Sequence, residues 1–259
     1  EGKNPLAKQL MRSAFAGKDA KKKRKGHVKA MDLATFVSGI QSIPRRGHGK
    51  RALWVLLLTG WRLMCVLQMR WAQIDFVRNV YQVQERDEGW KGYVGEIALN
   101  QYALAHVQER RAEGGEAESE YVFPAYGCHS KQGHLVNCSG SIASASKGLE
   151  VPVTPHDLRR TFVTIGEVVL DGNLRLLGQL IGHKQLDADA DGGRDRDGGS
   201  EVTRGYLVRD MSAEVESARQ VAEAILMLGG CLPLDDDLTA KFKRRGVALE
   251  RLELVNVPD

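Results

Sequence analysis

Six residues stand out for the chemistry they can do together: Arg62, Lys91, His156, Arg159, His183 and Tyr206. Two arginines, a lysine and two histidines form a donor set for an anion, and a tyrosine downstream supplies a nucleophile. The combination reads as phosphoryl transfer onto a protein side chain, with DNA as the phosphate donor. His156 and Arg159 lie in Pro155-His156-Asp157-Leu158-Arg159-Arg160, one helical turn apart and so on one face. Thr154, Pro155 and Asp157 make a strong helix start: a cap, a proline at the first helical position and an acid in the first turn. That start would add the positive end of the helix to the pocket.

The elements that must position these groups follow from periodicity. Asp32 is the expected N-cap for a helix over residues 33–40, and a second helix covers 50–59 with Leu53, Leu56 and Leu57 on one face. Gly60 breaks it, and a third helix runs from Arg62 through Met69. Residues 74–76, 80–83 and 96–99 alternate like short antiparallel strands, with a turn over 87–92 that puts Lys91 at or beside a hairpin tip. Asn100 caps a helix to about Glu113, ended by Gly114-Gly115. Ser139 or Ser141 caps another through Lys147. The helix after Thr154 runs to about Leu170, and a short one over 174–181 ends at Gly182, directly before His183. A helix carries Val202 and Tyr206, another spans 213–228, and the charged tail holds at most a small terminal helix. No internal repeat is visible. The expected fold is mainly α with a small antiparallel β-sheet.

The 259 residues suit one large domain or one domain with appendages, and 42% hydrophobic content suits an ordinary core. No apolar run approaches the roughly 20 residues of a membrane helix, which predicts no membrane partner. No secretory signal opens the chain. Net charge is +4, but its distribution is uneven. Lys22, Lys23, Arg24 and Lys25 lie in a basic stretch over 18–29, followed by Arg45 and Arg46. Such clusters serve as solvated linkers, phosphate contacts or nuclear-import patches; we assign these six residues to DNA contact. Cys65, Cys128, Cys138 and Cys231 have no close-pair spacing and read as reduced thiols of a cytosolic protein. Cys128, His129, His134 and Cys138 fit no usual zinc spacing and are expected to be exposed loop residues. Asp187-Ala188-Asp189-Ala190-Asp191-Gly192 mimics the start of a calcium loop, but the twelfth position is Gly198 rather than glutamate.

Four motifs in order resemble the tyrosine recombinases, the integrases of phages and genomic islands. Thr59-Gly60-Trp61-Arg62, with Met69-Arg70-Trp71 and Ile74-Asp75, is similar to their first signature. His156-x-x-Arg159 is similar to their second. Leu180-Ile181-Gly182-His183 resembles their Leu-Gly-His turn, and Val202-Thr203-Arg204-Gly205-Tyr206 the segment that carries their nucleophile. The resemblance spans residues 50–228 and implies the recombinase catalytic-domain fold.

The resemblance also implies a reaction: DNA strand cleavage and rejoining through a 3′-phosphotyrosyl intermediate and a free 5′-hydroxyl, in integration or excision. Arg62 and Arg159 would clamp the non-bridging oxygens with forked, permanently charged donors. Tyr206, with an ordinary pKa of about 10, needs a cationic pocket, and His156 is placed to take its proton. The family assigns Lys91 as general acid for the departing 5′-oxygen, and His183 would hydrogen-bond the phosphate. Bond energy is conserved, so no cofactor and no metal is implied. The implied partner is double-stranded DNA, bound by a homo-tetramer on paired sites formed from chains monomeric in isolation. The implied setting is the nucleoid of a bacterial cytoplasm.

Two positions depart from the family pattern. Cys65 stands where an acid commonly helps hold the first arginine, and Asp75 is a candidate substitute. An acidic insertion over 187–200 lengthens the path from His183 to Tyr206. As a random coil its ~19 residues would span about 25 Å, enough for Tyr206 to reach its own pocket or a neighbour's. The expected organisation is a basic arm or linker over 1–30, a catalytic domain over 31–228 and a tail over 229–259 that docks on a neighbouring subunit. An upstream DNA-binding domain is expected to precede the arm. Two rival readings share these residues: a type IB topoisomerase and a non-catalytic DNA-binding regulator.

Overall fold

One helix, apolar on every side beyond its first turn, organises the molecule. In the computed structural model, which describes residues 28–44, 48–125, 132–183, 210–246 and 249, helix α2 (His48–Thr59) buries all of Ala52 through Thr59. A helix with no polar face has to be surrounded. Accordingly α2 packs against α1 (Ala30–Ser42), α3 (Leu63–Leu67), α4 (Gln101–Ala112), α6 (Ser139–Ala145), α7 (Pro155–Val169) and α9 (Ser212–Leu228). A short α5 (Gly115–Glu118) follows α4, α8 (Leu174–Leu180) follows α7, and α10 (Asp236–Arg244) packs on α7. Among the described residues no helix is long and apolar enough to cross a membrane.

The sheet has three antiparallel strands in the order β1 (Ile74–Asp75), β2 (Val80–Val83) and β3 (Gly95–Ala98). Its register pairs Ile74 with Tyr81 and Tyr81 with Ile97, so one face carries a continuous apolar row into the core. The β2–β3 connection is tied down at its base by Asp87. That buried carboxylate accepts from Arg70 Nη1 at 3.0 Å, Gln73 Nε2 at 2.6 Å and the Gln84 amide at 2.7 Å.

Most helix ends fall where the local chemistry put them. The Thr154 side chain accepts from the Asp157 amide while Asp157 reaches back, completing a capping box at the start of α7. Asn100 caps α4 through the Ala103 amide. Asp32 is not a cap: α1 begins earlier, at Ala30, with Lys29 at the cap position and Asp32 in the first turn. Nor do Ser139 and Ser141 cap α6; the position belongs to Cys138, and Asn137 Oδ1 accepts the Ser139 amide. His134 and Cys138 correct the expectation of an exposed loop, since each is only 5% exposed. His134 stands edge-on to Tyr121, with ring centroids 5.0 Å apart. Burial pushes the Cys138 thiol up to about 12. Cys128 and His129 lie outside the described residues, as do Tyr206, the insertion over 187–200, and Lys22, Lys23, Arg24, Lys25, Arg45 and Arg46.

Candidate active site

The C-terminus of α8 explains how two arginines are held side by side without a carboxylate. A helix end leaves unsatisfied carbonyls and a partial negative charge. Here three consecutive carbonyls each receive a donor from the two signature segments. Leu180 O accepts the Trp61 indole N–H at 3.1 Å, Ile181 O accepts Arg159 Nη1 at 2.8 Å, and Gly182 O accepts Arg62 Nη1 at 3.4 Å. Arg159 Nη1 also donates to Gly60 O at 2.9 Å. The first signature, the second and the Gly-His turn are therefore joined at one point. Asp75 takes no part: its Oδ1 accepts the Val77 and Arg78 amides in the turn after β1.

Local geometry makes that point possible. Gly182 is left-handed, φ +64°, as the residue after a helix cap often must be. The Gly182 amide donates to Gln179 O and the His183 amide to Gly178 O, at 3.1 and 2.9 Å. This double bond pattern closes α8 and sets His183 at its exit, with its ring exposed. Gly60 is also left-handed, and a Cβ there would come within 2.8 Å of Phe162 Cβ. Glycine at 60 lets the chain turn tightly against α7 and aim Arg62 at Arg159.

Arg62, Leu63, Thr154, Pro155, His156 and Arg159 line one cavity of about 280 Å³ at the N-terminus of α7. Arg159 is 5% exposed, and its Nη2 is buried without a hydrogen-bond partner. A buried, unpaired donor on a cation is costly unless something fills its place. Burial, and then the neighbouring Arg62 charge, pull the Arg159 guanidinium down to about 10. His156 is held below its ordinary value by burial and then by Arg160 and Arg159. His183 is held down by burial, then by Arg159, Arg62 and Lys91. Both imidazoles are therefore neutral near pH 7, able to take a proton or share one. Lys91 is exposed on the β2–β3 connection, near enough for its charge to act on His183.

Cys65 sits beneath the pair. It is 1% exposed, and burial pushes its thiol up to about 12 despite the opposing pull of Arg62 and Arg159. The position an acid would occupy is thus neutral, and the helix-end carbonyls do the holding instead. Of the six residues singled out from sequence, Arg62, His156 and Arg159 line the cavity, His183 follows the carbonyl that holds Arg62, and Lys91 is exposed on the β2–β3 connection; Tyr206 lies outside the described residues.

Roomier clefts elsewhere are already neutralised. One of about 480 Å³, between α2 and α4, contains the Arg51 ion pairs with Glu109 and Glu113. Another of about 580 Å³, beside the β1–β2 turn, carries Asp210 and Glu216 along with Arg78. Sequence reasoning missed the part played by Trp61 and the α8 carbonyls. The Gly-Trp pair before Arg62 was the available signal.

Known proteins resemble this chain in sequence and in fold. The prophage integrase IntF of Escherichia coli strain K12 is 30% identical over 158 residues, covering 59% of this chain and 31% of that protein. The chain thus spans about a third of that relative's length. The integrase from mycobacterium phage Brujita superposes with a TM-score of 0.53 at 16% identity, over 91% of this chain and 71% of that one. XerA recombinase superposes with a TM-score of 0.50 at 14% identity, over 93% and 73%. At those identities the two structures speak for the fold alone. The family model described as the phage integrase family matches residues 30–188, more than half of the sequence. That stretch contains Arg62, Lys91, His156, Arg159 and His183, and the chain belongs to the phage integrase family.

Proposed function

We propose that this chain is the catalytic part of a site-specific DNA recombinase. It cleaves and rejoins DNA strands through a covalent link between the 3′-phosphate and Tyr206. The observation that carries this reading is the unfilled donor of Arg159 beside Arg62 in one cavity. A non-bridging phosphate oxygen is the ligand whose charge and size suit it. Attack by Tyr206 forms the new phosphoester while the P–O5′ bond breaks. The tyrosine proton passes to neutral His156 or to water, and Lys91 donates a proton to the departing 5′-oxygen. His183 hydrogen-bonds the phosphate at the mouth of the cavity. The pentacoordinate charge is met by guanidinium donors fixed in advance on α8 carbonyls, the form of stabilisation that contributes most when donors need no reorganisation.

Lys22, Lys23, Arg24, Lys25, Arg45 and Arg46 contact DNA phosphates in this reading, which makes binding salt-sensitive. The active assembly is a homo-tetramer on paired sites, with monomers in isolation. The domain limits are 1–30 for the arm, 31–228 for the catalytic unit and 229–259 for the tail.

The test is covalent capture. The chain is incubated with nicked duplexes carrying a randomised central segment, in which cleavage releases a short fragment and traps the adduct. An SDS-resistant adduct that disappears in Tyr206→Phe is expected, and sequencing the captured DNA identifies the site. An adduct of undiminished yield in Tyr206→Phe, or a gel shift with no adduct, would refute the mechanism.

A further inference from the structure

The tip of the β2–β3 connection is locked onto the rest of the site, and the lock is Trp90. This side chain is 2% exposed, although its neighbours Lys91 and Gly92 are exposed. Its ring meets Trp61 edge-on at 5.1 Å and stacks near Tyr81 at 6.2 Å, with Tyr93 at 6.0 Å. It lies so close to the Gly-His turn that a Cβ on Gly182 would come within 2.7 Å of Trp90 Cζ3 and 2.9 Å of Cε3. The preceding residue is equally confined. A Cβ on Gly89 would meet Met64 Cβ at 3.1 Å and the Cys65 amide at 3.3 Å, at the start of α3.

Lys91 itself is left-handed, φ +53°. A lysine rarely adopts that conformation without surroundings that impose it, and such outliers gather at functional sites. The surroundings here are the wedge of Trp90 between Trp61, which precedes Arg62, and Gly182, which precedes His183. Mobile hairpins leave an exposed lysine to sample many positions; this one has its backbone pinned within one residue of the ammonium's own Cα.

We infer that Trp90 is the positioning residue for Lys91: its buried ring holds the lysine backbone in the left-handed conformation and registers it against the Gly182–His183 turn. The inference rests on the proposed role of Lys91 as proton donor to the 5′-oxygen. Buried as it is, Trp90 is not placed to touch DNA or the reacting atoms. Its effect is confined to how often the ammonium stands where the leaving oxygen needs a proton.

That confinement gives a test that a merely structural residue would not pass. When the bridging 5′-oxygen of the scissile phosphate is replaced by sulfur, the P–S bond breaks to release a thiolate, which needs no proton. Cleavage rates of the full chain are compared on oxygen and sulfur versions of one captured duplex, for wild type, Lys91→Ala, Trp90→Ala and Trp90→Phe. A positioned general acid contributes roughly 10²–10⁴ in rate. Trp90→Ala should therefore lose at least about tenfold on the oxygen substrate and recover to near the wild-type rate on sulfur, as Lys91→Ala does. Trp90→Phe keeps an aromatic ring in the wedge, guards against a folding failure, and should show a smaller loss with the same recovery. Equal slowing of both Trp90 variants on both substrates would mean that the ring supports the arginine clamp or the fold, and would overturn the inference. So would wild-type rates on oxygen. If Lys91→Ala itself is not rescued by sulfur, the assignment of the acid is what fails, and the positioning role falls with it.

Discussion

Replacing Arg159 by glutamine separates holding a fold from holding a phosphate. The guanidinium is kept charged in a buried place beside Arg62, and its depression from the ordinary arginine range to about 10 corresponds to about 3 kcal/mol of unfavourable free energy at neutral pH. The sign is that of a base whose folded value lies below its unfolded one. The penalty is complete throughout the neutral range. Glutamine removes that penalty. It also loses one or both hydrogen bonds to Gly60 O and Ile181 O, each costing about 1–3 kcal/mol when a buried carbonyl is left bare. The opposing contributions are of similar size, so stability should change by no more than about 2 kcal/mol in either direction. Cleavage should not be spared in the same way. Removing one oxyanion donor commonly costs about 10²–10³ in rate, and here a charge goes with it, so a loss of at least about 10³ is expected. Urea denaturation and adduct formation on a nicked duplex measure the two quantities. The reasoning is refuted if Arg159→Gln unfolds the protein and the residual rate tracks the folded fraction, because Arg159 would then be a structural tie.

Gly182→Ala should destabilise by about 2–5 kcal/mol in chemical denaturation, from left-handed strain and overpacking against Trp90; a cost near zero would mean that the turn yields freely. His48, buried in α2, is lowered to about 4 by burial and then by Arg110 and Arg51. The unfolded chain therefore takes up a proton between pH 6.5 and 4 that the folded one does not. Stability should fall through that window by up to about 3 kcal/mol from this residue, and His48→Gln should flatten the slope measured by urea titration at several pH values. Among the described cysteines, Cys65 and Cys138 are buried with thiols pushed up to about 12, whereas Cys231 is only partly covered. Peptide mapping after brief alkylation at pH 8 should find Cys231 modified before Cys65 and Cys138; equal labelling of Cys65 would contradict the buried position assigned to it.

Legibility from sequence followed the range of the forces involved. Thr154-Pro155-His156-Asp157 announced the start of α7 because a capping box is made within four residues, and Asn100 was readable for the same reason. The strands were readable because alternation is local. Asp32 and Ser139 misled, since capping residues also occur inside first turns and only the preceding backbone decides. His134 and Cys138 looked exposed because a polar, glycine-bearing stretch usually is, and only tertiary contacts such as that of Tyr121 with His134 bury them. Asp75 was a reasonable partner for Arg62 by charge alone, yet its own turn claims it.

What the sequence determined by itself was the chemical set: two guanidiniums, a lysine, two imidazoles and the helix start that carries two of them. Those are properties of residue type and short spacing. How the guanidiniums are restrained was decided only in three dimensions, by carbonyls at the end of α8 meeting donors from residues 61, 62 and 159. Backbone oxygens carry no sequence signature, because every residue has one. Only the folded chain determines which of them are left unpaired and what stands opposite.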